Sequence, residues 1–295
     1  MRDDAAGLRA LAAEVDSLAP RHLFELASVL RCIRPLARVV IRSEDHDVVR
    51  GRLAALGLRA GIPRVHQRVV RREGNDRFCT RIPAPAVPGD PEATISLMVA
   101  RDLESALRGQ RIDDEEDSLA CGLMLGYPRC CAEAYASIEA GNDWFSKLVA
   151  SHPSGVHRFD WSANQLAGLW SADTAHPDFF PCRLGCPHAS TFVRALVLAA
   201  RELGLAPECA RGIRCMSKSV VVLDGAVVVL GSGDHGESPV ACETRPGTDP
   251  SWRTRLNNPG LRFGAASGGI VVRHDGVEVL RVKGALLHFD RGGMP

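Results

Sequence analysis

The apolar positions of this chain fall into three patterns, one after another. Leu8, Leu11, Val15 and Leu18 recur every three or four residues, and Leu23, Leu26, Val29 and Leu30 do so again. That spacing predicts helices over 5–18 and 21–32, separated at Pro20 and closed by Pro35. Ala37-Arg-Val-Val-Ile41 predicts a short strand. A helix from about Glu44 to Leu56 follows, with Val48, Val49, Leu53 and Leu56 turned inward, and stops before Gly57. Strand-like pieces near 66–71 and 94–100 flank a proline-rich loop from Ile82 to Pro91. Residues 1–101 therefore read as a small α/β region.

Residues 102–208 read as mostly helical. One helix starts near Leu103 and ends near Gly109, and a second begins in the acidic run Asp113 to Asp117 and ends at Gly126. The carboxylates of that run suit a solvated helix start. A helix after Cys130 reaches about Ala140, and a long loop carrying Trp144, Trp161, Trp170 and His176 leads to Cys182. The next helix, Pro187 to Leu203, places Phe192, Ala195, Leu196 and Ala199 on one face. From Cys209 onward the pattern turns to alternation, and Asp224-Gly225 and Asp275-Gly276 each sit between apolar runs, the signal of a two-residue hairpin turn. Residues 209–295 thus read as a small antiparallel β domain. The fold class expected for the whole is α+β.

Composition narrows the possible roles. A net charge of +1, with arginines scattered along the chain, gives no basic surface for nucleic acid. No apolar run has the length of a membrane span, and the start is acidic and amphipathic rather than a leader, so a cytoplasmic protein is expected. Ten cysteines are many for 295 residues. In a reducing compartment, grouped cysteines point to metal binding or catalysis rather than disulfides.

Two groups carry the chemistry. Cys130-Cys131 follows Pro128, and Cys182-x-x-x-Cys186 precedes Pro187, so both stand where a helix begins. Helix N-termini favour thiolate, the form that binds metal or attacks. Adjacent helical residues point about 100° apart, so one of Cys130 and Cys131 is expected to ligate and the role of the other stays open. Gly185 is expected to supply a positive φ that wraps its loop around an ion. Cys130, Cys131, Cys182 and Cys186 are the candidate ligands, with His188 and His176 as possible nitrogen ligands. The spacing suits an iron–sulfur cluster, with a four-iron cluster leading and zinc or a single iron as alternatives. Arg129 and Arg183 could clamp an anionic substrate, and Tyr127 could act as an acid or base. Cys121 could reach the site, Cys209, Cys215 and Cys242 belong to the β part, and Cys32 and Cys79 read as packing residues.

Two glycine patterns imitate nucleotide sites. Gly231-Ser-Gly233-Asp-His-Gly236 matches G-x-G-x-x-G, but no helix follows to receive a pyrophosphate. Ser267-Gly268-Gly269 leads into a strand. Both read as turns.

Leu125-Gly-Tyr-Pro-Arg-Cys-Cys131 resembles the Leu-Gly-Tyr-Pro-x-Cys-Cys signature of an uncharacterised archaeal and bacterial family, a domain of unknown function. Pro181-Cys182-x-x-x-Cys186 resembles a second cysteine element of that family, and the likeness covers roughly residues 95–205. It implies shared architecture and brings no activity with it. The expectation is a metal-dependent, iron–sulfur enzyme acting on a small and possibly anionic molecule, with a possible redox partner. A zinc-stapled binding module and a metal-free thiol enzyme are the alternatives.

Overall fold

The computed structural model describes residues 4–64, 66–71, 81–87, 90–137, 155–164, 180–223, 226–233, 236–244, 256, 258, 260–266, 269–275, 277–282 and 284–290. The class is α+β, with helices set against mostly antiparallel sheets. Helix α1 spans Asp4–Glu14, and α2, His22–Leu30, is buried along almost its whole length. The first helix is shorter than its periodicity suggests, yet Val15 and Leu18 stay buried in the turn that follows it. Strand β1, Leu36–Arg42, pairs antiparallel with β5, Thr94–Ala100. Strands β2, Arg59–Ala60, and β3, His66–Arg71, also pair with β5, and β4, Arg81–Pro85, closes the sheet on β3. Pro83 and Pro85 of the expected loop thus lie on an edge strand, where a missing N–H faces no neighbour. Helix α3 spans His46–Ala55. Its inward face is Val49 and Leu53, four residues apart, while Val48 is 45% exposed, contrary to the expectation.

Helix α4, Leu103–Asp114, is capped by Asp102, whose carboxylate accepts from the Ser105 N–H at 2.7 Å. It runs five residues beyond Gly109, where the periodic reading stopped it. Gly109 lies against the sheet, and a Cβ there would come within 2.8 Å of Leu36. The missing side chain lets the helix sit close to β1 rather than ending it. Helix α5, Ser118–Met124, is capped by Asp117, and α6 spans Arg129–Ala136. The expected long loop contains a strand, β6, Gly155–Asp160, which pairs in parallel with β13, Gly284–Asp290. Its short, weakly alternating sequence acquires strand character from a partner at the other end of the chain. Trp144, Trp170 and His176 lie outside the described residues.

Helix α7, Pro187–Glu202, buries Ala189, Val193, Leu196, Val197 and Ala200 along one stripe. Helix α8, Ala206–Met216, follows and carries Cys209 and Cys215, both buried. These two cysteines therefore sit on a helix and not in the β part, because alternation starts only at β7, Val220–Leu223. Strand β7 pairs with β8, Ala226–Gly233, with Leu223 opposite Ala226, as a two-residue turn at 224–225 requires. Those two turn residues are outside the described set. Strand β8 pairs in turn with β9, Gly236–Thr244, and Gly233 faces Gly236. The G-x-G-x-x-G pattern is thus a hairpin, although Asp234 and His235 are not described. A further sheet holds β10, Leu261–Ala266, β11, Gly269–His274, and β12, Val277–Val282, and Asp275 takes the positive φ of +50° its turn needs.

One apolar core joins α1, α2, α3 and the first sheet to α7 and α8, and it takes in Cys131, Cys186 and Trp161. A second, of Val221, Leu223, Leu230, Ile270 and Leu286, lies between the two C-terminal sheets. No helix among the described residues is long and apolar enough to cross a membrane. Strand β13 is central, between β6 and β7, and Gly284 begins it. A Cβ at Gly284 would lie 2.5 Å from the Val222 carbonyl oxygen, a backbone atom held in the ladder. Gly284→Ala should therefore cost about 1–3 kcal/mol, seen as a lower urea midpoint at unchanged slope. An unchanged midpoint would contradict this close approach.

Candidate metal centre

The Leu-Gly-Tyr-Pro segment is a helix stop joined directly to a helix start. After α5, Gly126 takes φ +77°; its N–H donates to the Leu123 carbonyl and the Tyr127 N–H to the Gly122 carbonyl, both at 3.0 Å. This pair of bonds is a Schellman C-cap, which requires a left-handed residue at the position of Gly126. Pro128 then opens α6 in an extended conformation, and its carbonyl accepts from the Cys131 and Ala132 N–H groups. Cys130 and Cys131 thus occupy the first turn of α6. The second element is built similarly. The Cys186 N–H donates to the Arg183 carbonyl at 3.1 Å, Cys186 caps α7, and Pro187 fills the first helical position. Gly185 does not use a positive φ, and a Cβ there would meet open space. The loop turns without it because the Arg183–Cys186 bond already closes it.

The two helix starts converge. The sulfurs of Cys130, Cys131, Cys182 and Cys186 all lie within 4.8 Å of one another, and these four could hold a metal ion. Cys130 and Cys131 are 3.7 Å apart at sulfur, and each is 3.8 Å from the Cys186 sulfur. Both members of the adjacent pair reach the cluster despite their angular separation. Side chains of a first turn lean back towards the N-terminus, so both thiols project past the helix end into the same space. Cys131 and Cys186 are buried, Cys182 is half-buried and Cys130 is exposed.

Charge at the cluster is unevenly distributed. Burial pushes the Cys131 thiol strongly up, against the Cys182 N–H that donates to its sulfur at 3.4 Å. Burial, followed by the hydrogen bond with Cys186, pushes Cys182 up to about 11. Burial opposes ionisation of Cys186 as well, but the Ala189 amide and the three neighbouring thiols outweigh it and hold Cys186 below the ordinary thiol value. A cation in the middle removes the conflict, since every sulfur then gains a positive partner.

The remaining candidates are not among the four clustered sulfurs. His188 is exposed in the first turn of α7 and is not among the four clustered groups. Arg129 is exposed and pairs with Glu133 at 3.5 Å, and Arg183 is exposed too. Tyr127 is half-buried, edge-on to Phe192 at 5.7 Å, with the Arg34 guanidinium 5.9 Å from its ring centre. Cys121 lies on α5 and joins Asp113 rather than the cluster. Cys32, expected to pack, is exposed beside Arg101. Cys79 and the Cys242 side chain are outside the described residues. Sequence reasoning missed a cavity of about 440 Å³ that shares Cys131 with the cluster and is lined chiefly from α2, the first sheet, the α4–α5 junction and α6. The signal available for it was the acidic run, read as capping; only Asp117 caps a helix, and Asp113 and Asp114 end one.

No family model, curated protein or solved structure matches this chain.

Two outcomes follow from the geometry. Cys131 and Cys182 keep their protons at neutral pH without metal, and a bound ion takes both as thiolates. Affinity for Zn²⁺ should therefore rise with pH, by at least about a hundredfold from pH 6.5 to 7.5, in chelator competition. A pH-independent affinity would mean these thiols do not ligate. Gly126→Ala forces a side chain into the left-handed region, 3.2 Å from the Arg34 Cβ. It should cost about 1–2 kcal/mol or more, and thermal unfolding would show it.

Proposed function

We propose that the protein holds a single tetrahedral ion, zinc in the leading case, on Cys130, Cys131, Cys182 and Cys186, and that this ion fastens α6 to the start of α7. The sulfur separations carry the reading. A Zn–S bond of about 2.3 Å sets the ligands of a regular tetrahedron about 3.8 Å apart, and three of the sulfur pairs lie at 3.7–3.8 Å. A four-iron cluster would bond each thiolate to a different iron and spread the sulfurs around the whole cluster. The observed spacing favours one ion over the expected cluster. Four thiolates fill a tetrahedron and leave no position for substrate, which is the pattern of structural rather than catalytic zinc. Any chemistry on a small molecule is then the work of residues beside the centre. A metal-free thiol enzyme draws less support, because burial holds Cys131 and Cys182 in the thiol form.

Elemental analysis of the purified full chain tests this. The expected result is one zinc per chain without labile sulfide, and replacement by Co²⁺ should give the intense visible bands of a tetrahedral thiolate site. Several irons per chain with matching sulfide would overturn it. Cys186→Ser should lose the ion and, because structural zinc contributes on the order of 10 kcal/mol to folding, should unfold at markedly lower temperature. A variant that loses metal yet keeps its full melting temperature would refute the fastening role.

A further inference from the structure

We propose that the cavity beside the metal centre binds a small organic cation, a protonated amine attached to a ring or a short chain. The proposal concerns residues other than the sulfur ligands and does not depend on which ion those ligands hold. The cavity, about 440 Å³, lies between the first sheet and the helices α4 to α6 and has the size of a metabolite site.

Its lining carries five carboxylates, Glu25, Asp113, Asp114, Glu116 and Asp117, against the guanidiniums of Arg21 and Arg38. Glu25 is matched locally. His22 Nδ1 lies 2.9 Å from its carboxylate, the buried Arg34 guanidinium 3.7 Å away, and Arg21 adds its charge. Asp113, only 9% exposed, is matched by Arg38 Nε at 3.2 Å, which also donates to Ser96 Oγ. Arg38 keeps 46% of its side-chain surface open and lines the cavity.

Of the other three carboxylates, two accept from neutral donors. Asp114 accepts from Gln110 Nε2 at 3.1 Å, and Asp117 from the Ala120 N–H. Such bonds orient a carboxylate without cancelling its charge. Asp113 and Asp114 end α4, where the free carbonyls form the negative pole of the helix. Acids are disfavoured at that pole unless a cation meets them, as Arg38 meets Asp113, so local stability does not explain Asp114. The same field acts on Cys121, whose thiol is pushed up to about 11 by burial and then by Asp113, and which therefore remains a proton donor.

Part of the lining is aromatic. Tyr135 stacks on Phe180 with ring centres 5.5 Å apart, and Tyr127 stands beside them in the wall. Ring faces attract cations and accept the apolar body of an amine. Excess negative charge and ring faces in one lining discriminate against an anion of the same shape.

Titration calorimetry on the metal-loaded full chain tests the proposal, with phenethylamine, tyramine and agmatine as cations and phenylacetate and phenethyl alcohol as their anionic and neutral counterparts. At least one cation should bind, and phenylacetate should bind at least about tenfold more weakly. Asp114→Asn and Glu116→Gln should each weaken the cation by about three- to tenfold. Both variants should retain the parent's metal content and circular dichroism. The half-exposed position of Asp114 and the exposed position of Glu116 suit them to substitution without loss of the fold. Equal or tighter binding of phenylacetate or the alcohol, no heat from any of the three cations at about 10 mM, or full affinity in the folded variants would each overturn the proposal. Metal content measured on the same samples keeps this result separate from the reading of the sulfur site.

Discussion

Four thiols within 4.8 Å of one another, two of them buried, impose the constraint around which this part of the molecule is organised. As thiolates they repel, and burial removes the water that would screen them. As thiols they are weak hydrogen-bonding partners that hold little together. A single soft cation resolves both difficulties, and then the two chain segments that deliver the sulfurs must meet at one point. The Schellman turn at Gly126 aims α6 there, and the Arg183–Cys186 turn aims α7. Because α7 lays its apolar stripe in the main core, the centre ties α6 to the most heavily buried part of the protein.

Helix α6 serves two neighbours at once. Its first turn supplies two of the sulfurs, while Cys131, Ala132 and Tyr135 form part of the cavity wall. Loosening the metal centre would therefore be felt in the cavity through one short helix. Arg34 stands behind this arrangement, with its side chain fully buried. Its Nε donates to the Leu36 carbonyl, its charge faces Glu25, its guanidinium lies over the Tyr127 ring and its Cβ approaches Gly126. A buried cation so placed is sustained only by its partners, which makes α2, β1 and the Gly126 turn interdependent.

Much of this was legible in the chain. The helices α2, α3 and α7, the strands β1 and β5, and the hairpins of the C-terminal part follow from periodicity and from Asp-Gly turns, which are local properties. The four cysteines could be singled out because Pro128 and Pro187 mark the helix starts beside them. Other features were hidden because their cause is remote. Strand β6 exists through its pairing with β13, and α4 passes Gly109 because the sheet lies directly beneath it. Val48 turns outward since Val49 already fills the inward position. The acidic run was the least legible, for the same letters describe a capped helix start and a helix end turned towards a cavity.

By itself, then, the sequence determined where α2, α3 and α7 start and stop to within a few residues and which residues carry soft-ligand chemistry, because capping, proline and glycine act within a few residues of where they stand. Tertiary structure alone decided that both adjacent cysteines share one centre, that His188 is not part of it, and that Asp113 pairs with Arg38 in the wall of a cavity. Those outcomes depend on where two segments some fifty residues apart meet in space, and no local propensity encodes that distance.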